Sequence, residues 1–295
     1  MKHLEFAFTA TDNTQLFAQS WEPIDPANQA PRALICLVHG FGEHSGRYAH
    51  VAQMMTDAGF IVSAMDQRGH GRSQGKRGYT PAYSQSLTDI GTFITTSQRR
   101  FPNLPTFLYG HSMGGNMVLG YTLFNRPQTL RGVISTSPWL RLTTPPPSSQ
   151  VTGAKLISKI IPTFTITNEF EPLVLTHDPA VDEAYNSDPH NHGRMSAKLF
   201  FGVTENGEKI IQQASDFPLP LLLVHGTADP VTSHAASTEF AASAPKSTTT
   251  FKEWPDLYHE THNEPEQKEV IAYTIGWLNG QLNQTANTNK ADAPA

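Results

Sequence analysis

Short runs that are apolar at every position recur along the chain, separated by stretches whose apolar residues fall at helical spacing. Ala33-Leu34-Ile35-Cys36-Leu37-Val38 is one such run, Phe60-Ile61-Val62-Ser63-Ala64-Met65 is close to one, and Leu221-Leu222-Leu223-Val224 is a third. Absence of alternation suits strands covered on both faces, as in a parallel sheet. The third run belongs to a strand over 219–224; further strands are expected over 107–109, 132–135 and 248–254, and helices over about 47–58, 83–100, 116–124 and 265–278. Residues 4–8 and 15–21 read as a hairpin turned at Thr11-Asp12-Asn13, followed by a loop marked by Pro23, Pro26 and Pro31. Regular alternation of strand and helix predicts an α/β fold around a mostly parallel, doubly wound sheet.

That rhythm breaks between residues 138 and 217, where no buried strand is expected. Pro145-Pro146-Pro147 opens the interval; Leu156, Ile157, Ile160 and Ile161 then share one helical face, opposite Lys155, Ser158 and Lys159, and Pro162 should stop that helix. The interval reads as a helical cap inserted into a sheet domain made of residues 1–137 and 218–280. The apolar face would either pack on the core or roof a substrate pocket and touch a lipid surface. Residues 281–295 lack apolar periodicity and are expected to form a disordered tail.

Composition narrows the function classes. The net charge of −5 gives no basic stripe for nucleic acid. A single cysteine, Cys36, sits inside a core run and excludes an internal disulfide framework. No run approaches the length of a membrane span, and no apolar signal segment follows Met1. The expected setting is soluble and cytoplasmic, with transient membrane-surface contact through the cap.

Candidate chemistry centres on Gly110-His111-Ser112-Met113-Gly114, between the run Phe107-Leu108-Tyr109 and a helix. Gly-x-Ser-x-Gly in a strand–turn–helix context reads as a nucleophile elbow, with Ser112 in strained backbone and Gly110 and Gly114 where a Cβ would crowd the strand and helix. The Met113 N–H at the helix start is one candidate oxyanion donor, and the loop His39-Gly40-Phe41-Gly42 offers the second through the Phe41 N–H. The Phe41 ring would line the acyl pocket. Asp229 follows a strand end, which suits a catalytic acid and equally a turn residue or helix cap. His259 lies in the loop after the last strand, and His262 competes with it as base. The order Ser…Asp…His separates this constellation from the chymotrypsin and subtilisin arrangements. A zinc motif fails because position 263 is Asn, and a dinucleotide loop fails because position 74 is Gln. Neither metal nor cofactor is expected. Asp66 and Arg68 read as structural, His190 and His192 as solvated loop residues.

The blocks His39–Tyr48, Asp66–Gly75, Gly110–Gly115 and Tyr258-His259-Glu260, with Ala184–Pro189 in the cap, resemble the monoacylglycerol lipase and lysophospholipase family of α/β-hydrolases. The similarity spans about residues 5–280. It implies an α/β-hydrolase fold with an inserted cap, Ser112 as nucleophile, Asp229 as acid, His259 as base, and Phe41 and Met113 as oxyanion donors. It further implies a lipid ester substrate, most directly a monoacylglycerol, with lysophospholipase or general carboxylesterase activity as alternatives. An aminopeptidase and a non-catalytic ligand receptor are more remote, and a dehalogenase would need a carboxylate at position 112. Segment 139–183 carries no match that would assign glycerol contacts; Leu156, Ile157, Ile160 and Ile161 are the candidate acyl-binding residues there.

Overall fold

The unbroken apolar runs form the middle of an eight-stranded sheet in the computed structural model, which describes residues 1–24, 30–167 and 174–291. In chain order the strands are β1 (Lys2–Thr9), β2 (Gln15–Glu22), β3 (Ala33–Val38), β4 (Phe60–Met65), β5 (Thr106–His111) and β6 (Leu130–Thr136). An insertion follows, holding a small antiparallel ribbon of β7 (Thr165–Thr167) and β8 (Arg194–Ser196). The main sheet resumes with β9 (Leu221–Gly226) and β10 (Thr249–Trp254), giving the order β1-β2-β4-β3-β5-β6-β9-β10. The β1–β2 hairpin and the β2–β4 pair are antiparallel, and every other neighbouring pair is parallel.

Eight helices accompany these strands among the described residues: α1 (Ala49–Asp57), α2 (Tyr83–Arg100), α3 (Met113–Asn125), α4 (Ser148–Ile160), α5 (Pro179–Ser187), α6 (Ala197–Gln212), α7 (His234–Ser243) and α8 (Gln267–Ala291). Strand β3 shows why its sequence does not alternate. Leu34, Cys36 and Val38 enter a core shared with α2, α3, α6 and α7, while Ala33, Ile35 and Leu37 enter a second core shared with α1 and α8. Both faces are covered, so both sets must be apolar. Cys36 is fully buried, and burial pushes its thiol up to about 12.

Two features differ from the sequence pattern. Helix α8 runs through Ala291, where a disordered tail was expected from 281. Residues 281–291 carry no apolar stripe, but they contain neither Pro nor Gly. A helix already nucleated upstream adds each further residue at low cost. Residues 292–295 lie outside the described residues. In the insertion, the longest helix is α6, which the apolar pattern had not singled out. Ser196 caps it by accepting the Leu199 N–H at 3.2 Å, and Leu199, Val203, Ile210 and Ile211 join the core against α3. Helix α4 ends at Ile160, two residues before Pro162, as the proline requires.

Close approach of α6 to the loop after β6 generates a test. A Cβ on Gly207 would lie 2.2 Å from the Leu140 carbonyl oxygen, whereas one on Gly276 in α8 would meet nothing within 4 Å. Gly207→Ala should therefore destabilise the protein by about 1–3 kcal/mol through overpacking. Gly276→Ala should stabilise it by about 0.5–1 kcal/mol, the ordinary helix gain. Urea unfolding of both variants checks this; equal shifts of the two midpoints would remove the packing argument.

Candidate active site

Ser112 sits at the bend between β5 and α3 with φ +54° and ψ −118°, a left-handed region closed to most side chains. Strain of this kind costs about 1–3 kcal/mol and persists only where neighbours enforce it. Here the Ser112 N–H donates to the Thr136 carbonyl at 2.9 Å, and the Ser112 carbonyl accepts the Trp139 N–H at 2.9 Å. Both flanking glycines are required. A Cβ on Gly110 would lie 2.4 Å from the Gly114 carbonyl oxygen, and one on Gly114 would lie 2.3 Å from that of Val38.

Three loops bring the candidate residues together. Ser112 Oγ stands 2.9 Å from His259 Nε2, and His259 Nδ1 stands 2.8 Å from Asp229 Oδ2. All three residues are buried. The Asp229 Oδ1 accepts the N–H groups of Val231 at 2.7 Å and Thr232 at 3.0 Å, so it also organises the turn after β9. Its Oδ2 further accepts the Thr232 hydroxyl at 2.9 Å and faces His225 Nε2 at 3.0 Å. Burial opposes ionisation of Asp229, but the charge and hydrogen bond of His259 and the bond from His225 outweigh it and hold the carboxyl well below its usual range. Burial likewise opposes the charged form of His259, yet the Asp229 carboxylate raises that imidazole above its ordinary value.

His262 is placed differently. Its ring stacks on Tyr48 at 5.0 Å between centroids, and its backbone carbonyl meets His50 Nε2 at 2.9 Å. Burial pushes its pKa down to about 3, so it packs as a neutral ring and has no hydrogen bond to Ser112 among the described residues.

Loop 39–42 faces the elbow. The Gly40 N–H donates to Glu43 Oε1 at 2.6 Å, and the Tyr48 hydroxyl donates to the same oxygen at 2.8 Å. Arg47 ties Glu43 Oε2 at 2.6 Å to both oxygens of Glu260, each at 2.7 Å. Among the described residues neither the Phe41 nor the Met113 N–H has a backbone acceptor. Gly42 has φ +75°, and its carbonyl accepts the His192 N–H at 2.8 Å. His192 is thus no solvated loop residue: it is half-buried, its Nε2 meets the Gly69 carbonyl at 2.9 Å, and its ring packs edge-on against Phe41. His190 is exposed beside His44. Asp66 accepts from Ser45 and Arg72, and Arg68 bridges Asp12 and Asp89, which are structural roles.

Over Ser112 lies a cavity of about 150 Å³. Its lining includes Glu43, His111 and Glu260 and, among apolar residues, Phe41, Leu142, Leu175, Val231, Met195 and Phe200. Met195 and Phe200 also border a second cavity of about 400 Å³ beneath α4. Of the four cap residues expected to meet an acyl chain, only Ile157 lines either space. Leu156, Ile160 and Ile161 point outward, with 63%, 72% and 53% of their surface exposed. The reason lies in the phase of α4: its inner side is Val151, Ala154 and Ile157, spaced by three, and the expected stripe overlaps it only at Ile157. Sequence reasoning missed Glu43, Arg47 and Glu260, although all three stand inside motif blocks it had recognised. It also missed Leu175, Met195 and Phe200, which lie in the insertion and carry no pattern.

The likeness of this arrangement to known proteins is extensive. Residues 29–266 match the family model for serine aminopeptidase, S33. A monoacylglycerol lipase of Mycolicibacterium smegmatis is 33% identical over 94% of this chain and 98% of its own length. An uncharacterized abhydrolase domain-containing protein of Dictyostelium discoideum is 35% identical over 94% of the chain, which spans only 29% of that larger protein. The crystal structure of a monoacylglycerol lipase from Paleococcus ferrophilus superposes with a TM-score of 0.79 at 32% identity, covering 95% of this chain and all of that one. With the same fold and matching length, this chain belongs to the serine aminopeptidase S33 family, among its ester hydrolases of α/β-hydrolase fold.

Proposed function

We propose that the protein hydrolyses monoacylglycerols to glycerol and fatty acid through an acyl-enzyme on Ser112. The observation carrying this reading is the lining of the cavity above Ser112, mostly apolar and with no Lys or Arg among the described residues. Glu43, Glu260 and His111 also border it, and the oxygens of both carboxylates are engaged by Arg47, Tyr48, Asn263 and the Gly40 N–H. A lining without a cationic side chain offers nothing to pair with a phosphate, favouring a neutral glyceryl head over that of a lysophospholipid. Met195 and Phe200 border both this cavity and the space beneath α4, and the two together suit an acyl chain. The inserted segment 138–217 then acts as the cap over both.

Each residue has a role in this scheme. His259 Nε2 takes the Ser112 proton as Oγ attacks the ester carbonyl carbon. Charge developing on the carbonyl oxygen is stabilised by the Phe41 and Met113 N–H groups, each of which is worth about 3 kcal/mol in such sites. His259 returns the proton to the departing glycerol oxygen, and water repeats the sequence to release the fatty acid. Asp229 fixes the Nδ1–H tautomer of His259 and stabilises its cationic form. The outward cap residues Leu156, Ile160 and Ile161, all exposed, are proposed to rest on the lipid surface that supplies substrate. No helix among the described residues is long and apolar enough to cross a membrane, so such contact would be peripheral.

Turnover of a monoacylglycerol and a lysophospholipid of equal chain length should differ in favour of the former, with short p-nitrophenyl esters also cleaved. Faster release from the lysophospholipid would reverse the head-group assignment. Ser112→Ala should lose labelling by a fluorophosphonate and lower kcat by at least about 10⁴-fold with the fold intact. Appreciable hydrolysis by the purified variant would sink the mechanism.

The pH dependence has a definite sign. His259 must be neutral to accept a proton, so kcat/KM is lost as pH falls through its pKa. Burial lowers that pKa, but Asp229 raises it by more. The midpoint of the acid limb should therefore lie above about 6.5, the ordinary histidine value. A midpoint well below that would show that Asp229 does not support His259.

Ile160→Asp separates the lipid-surface role from packing. With Ile160 72% exposed, the variant should melt as the wild type and retain activity on a dissolved butyryl ester. Rates on a palmitoyl ester in vesicles should drop several-fold. Equal rates on the vesicles would exclude a surface role for this face.

A further inference from the structure

The chain of hydrogen bonds that starts at Ser112 does not end at Asp229. His225, at the end of β9, places Nε2 3.0 Å from Asp229 Oδ2, the oxygen that also faces His259 Nδ1 at 2.8 Å. On its far side His225 Nδ1 stands 2.8 Å from the hydroxyl of Ser237 in α7. The full sequence is thus Ser112, His259, Asp229, His225, Ser237: a serine and a histidine on each side of one carboxylate. His225 and Ser237 have no exposed surface, so neither meets substrate.

The proton on His225 can be placed from its neighbours. Nε2 faces two acceptors, Asp229 Oδ2 and the Thr232 carbonyl at 3.1 Å, and so carries the hydrogen. Nδ1 faces a hydroxyl that can donate to it. With the hydrogen on Nε2, every polar atom in the group has a partner. Leucine would fill similar space, but it would leave the Ser237 hydroxyl buried without this partner and remove one donor from Oδ2.

We propose that His225 is a positioning residue for the hydrolytic reaction, whose Nε2–H shares Asp229 Oδ2 with His259 and limits how far Asp229 raises the basicity of that base. This rests on the assignment of Ser112, His259 and Asp229 given above. The N–H dipole puts its positive end against Oδ2, on the side facing His259, and so opposes a positive charge there. Without it, Asp229 acts on His259 at full strength and is held in place by fewer donors. Around His259 the other groups are His111, with ring centroids 4.8 Å away, His262 beyond it, and Glu260, Glu43 and the Arg47 between them. Around His225 they are Asp229 and His234, whose ring is 5.6 Å away and which pairs with Glu253 at 2.8 Å.

The test compares pH profiles of kcat/KM for p-nitrophenyl butyrate in wild type, His225→Leu, His225→Gln and Ser237→Ala, each checked for folding by its melting curve. In His225→Leu the acid limb should move to higher pH by about half a unit or more, with kcat down about tenfold. Glutamine carries an N–H near the Nε2 position, so His225→Gln should move the limb back toward wild type. Ser237→Ala frees Nδ1, admits the other tautomer, and should give a smaller upward shift. Unmoved limbs in folded His225→Leu and Ser237→Ala would reduce His225 to a space filler and overturn the proposal; if His225→Leu does not fold, an unmoved limb in Ser237→Ala overturns it alone. Proton NMR of ¹⁵N-histidine protein in the Ser112→Ala background needs no turnover. It should show two strongly downfield imidazole N–H signals, one of which vanishes in His225→Gln. Finding only the His259 signal overturns the proposal even with hydrolysis by Ser112 intact, whereas failure of the Ser112 assignment is read separately, from fluorophosphonate labelling.

Discussion

A carboxylate with no exposed side-chain surface sits where three separate loops meet, and their mutual arrangement depends on satisfying it. Removing such a charge from water without partners costs several kcal/mol. Asp229 is compensated by the Val231 and Thr232 N–H groups, the Thr232 hydroxyl and the two imidazoles of His225 and His259. These donors come from the end of β9, the turn before α7 and the loop after β10. The carboxylate therefore fixes the turn and the His259 ring together. The residue that reads from sequence as either a turn former or a catalytic acid has the geometry of both, because the same oxygens cannot be buried unless the turn supplies donors.

A second buried charge group couples the opposite wall. Arg47 lies between Glu43 and Glu260, and its guanidinium covers the Tyr185 ring at 4.8 Å. Burial works against ionisation of Glu260, but Arg47 overcomes it and holds the carboxyl down to about 2. Through Glu43 this group holds the Gly40 N–H, and through Glu260 it holds the residue next to His259. The loop bearing Phe41 and the loop bearing His259 are thus spaced by one guanidinium. Lysine at position 47 would not reproduce this, since a single ammonium lacks the fork that binds both oxygens of Glu260.

What the sequence made legible follows from what is local. Strands β3, β4 and β9 declare themselves because burial on two faces forces a continuous apolar run, and the elbow declares itself because close contacts forbid a Cβ at Gly110 and Gly114. The candidate residues Ser112, Asp229 and His259 follow from their positions at strand ends. The cap was only partly legible. Leu156, Ile160 and Ile161 satisfy helical periodicity yet face outward, since periodicity identifies an apolar stripe without saying what covers it. Helix α6 was missed although it buries Leu199, Val203, Ile210 and Ile211, because Gly202, Asn206 and Gly207 dilute its helical signal. His225 reads as part of a strand end, and nothing local marks its contact with Asp229.

The insertion is more than a cover over the sheet domain. The His192 N–H donates to the Gly42 carbonyl, and a Cβ on Gly42 would lie 2.5 Å from the His192 carbonyl oxygen. Position 42 therefore has two independent reasons to be glycine: φ of +75° and direct backbone contact with the insertion. Further along, Gly78 approaches the Arg194 carbonyl with a hypothetical Cβ contact of 1.7 Å, and the Ser196 N–H donates to the Gly78 carbonyl at 2.8 Å. Segment 192–196 is thus pinned to two loops of the sheet domain, one of which carries the Phe41 N–H. Among the described residues, helix α4 has no backbone hydrogen bond to the sheet domain, and it leans on α6 over a cavity of about 400 Å³. Displacing 192–196 would therefore also displace the loop that carries the Phe41 N–H.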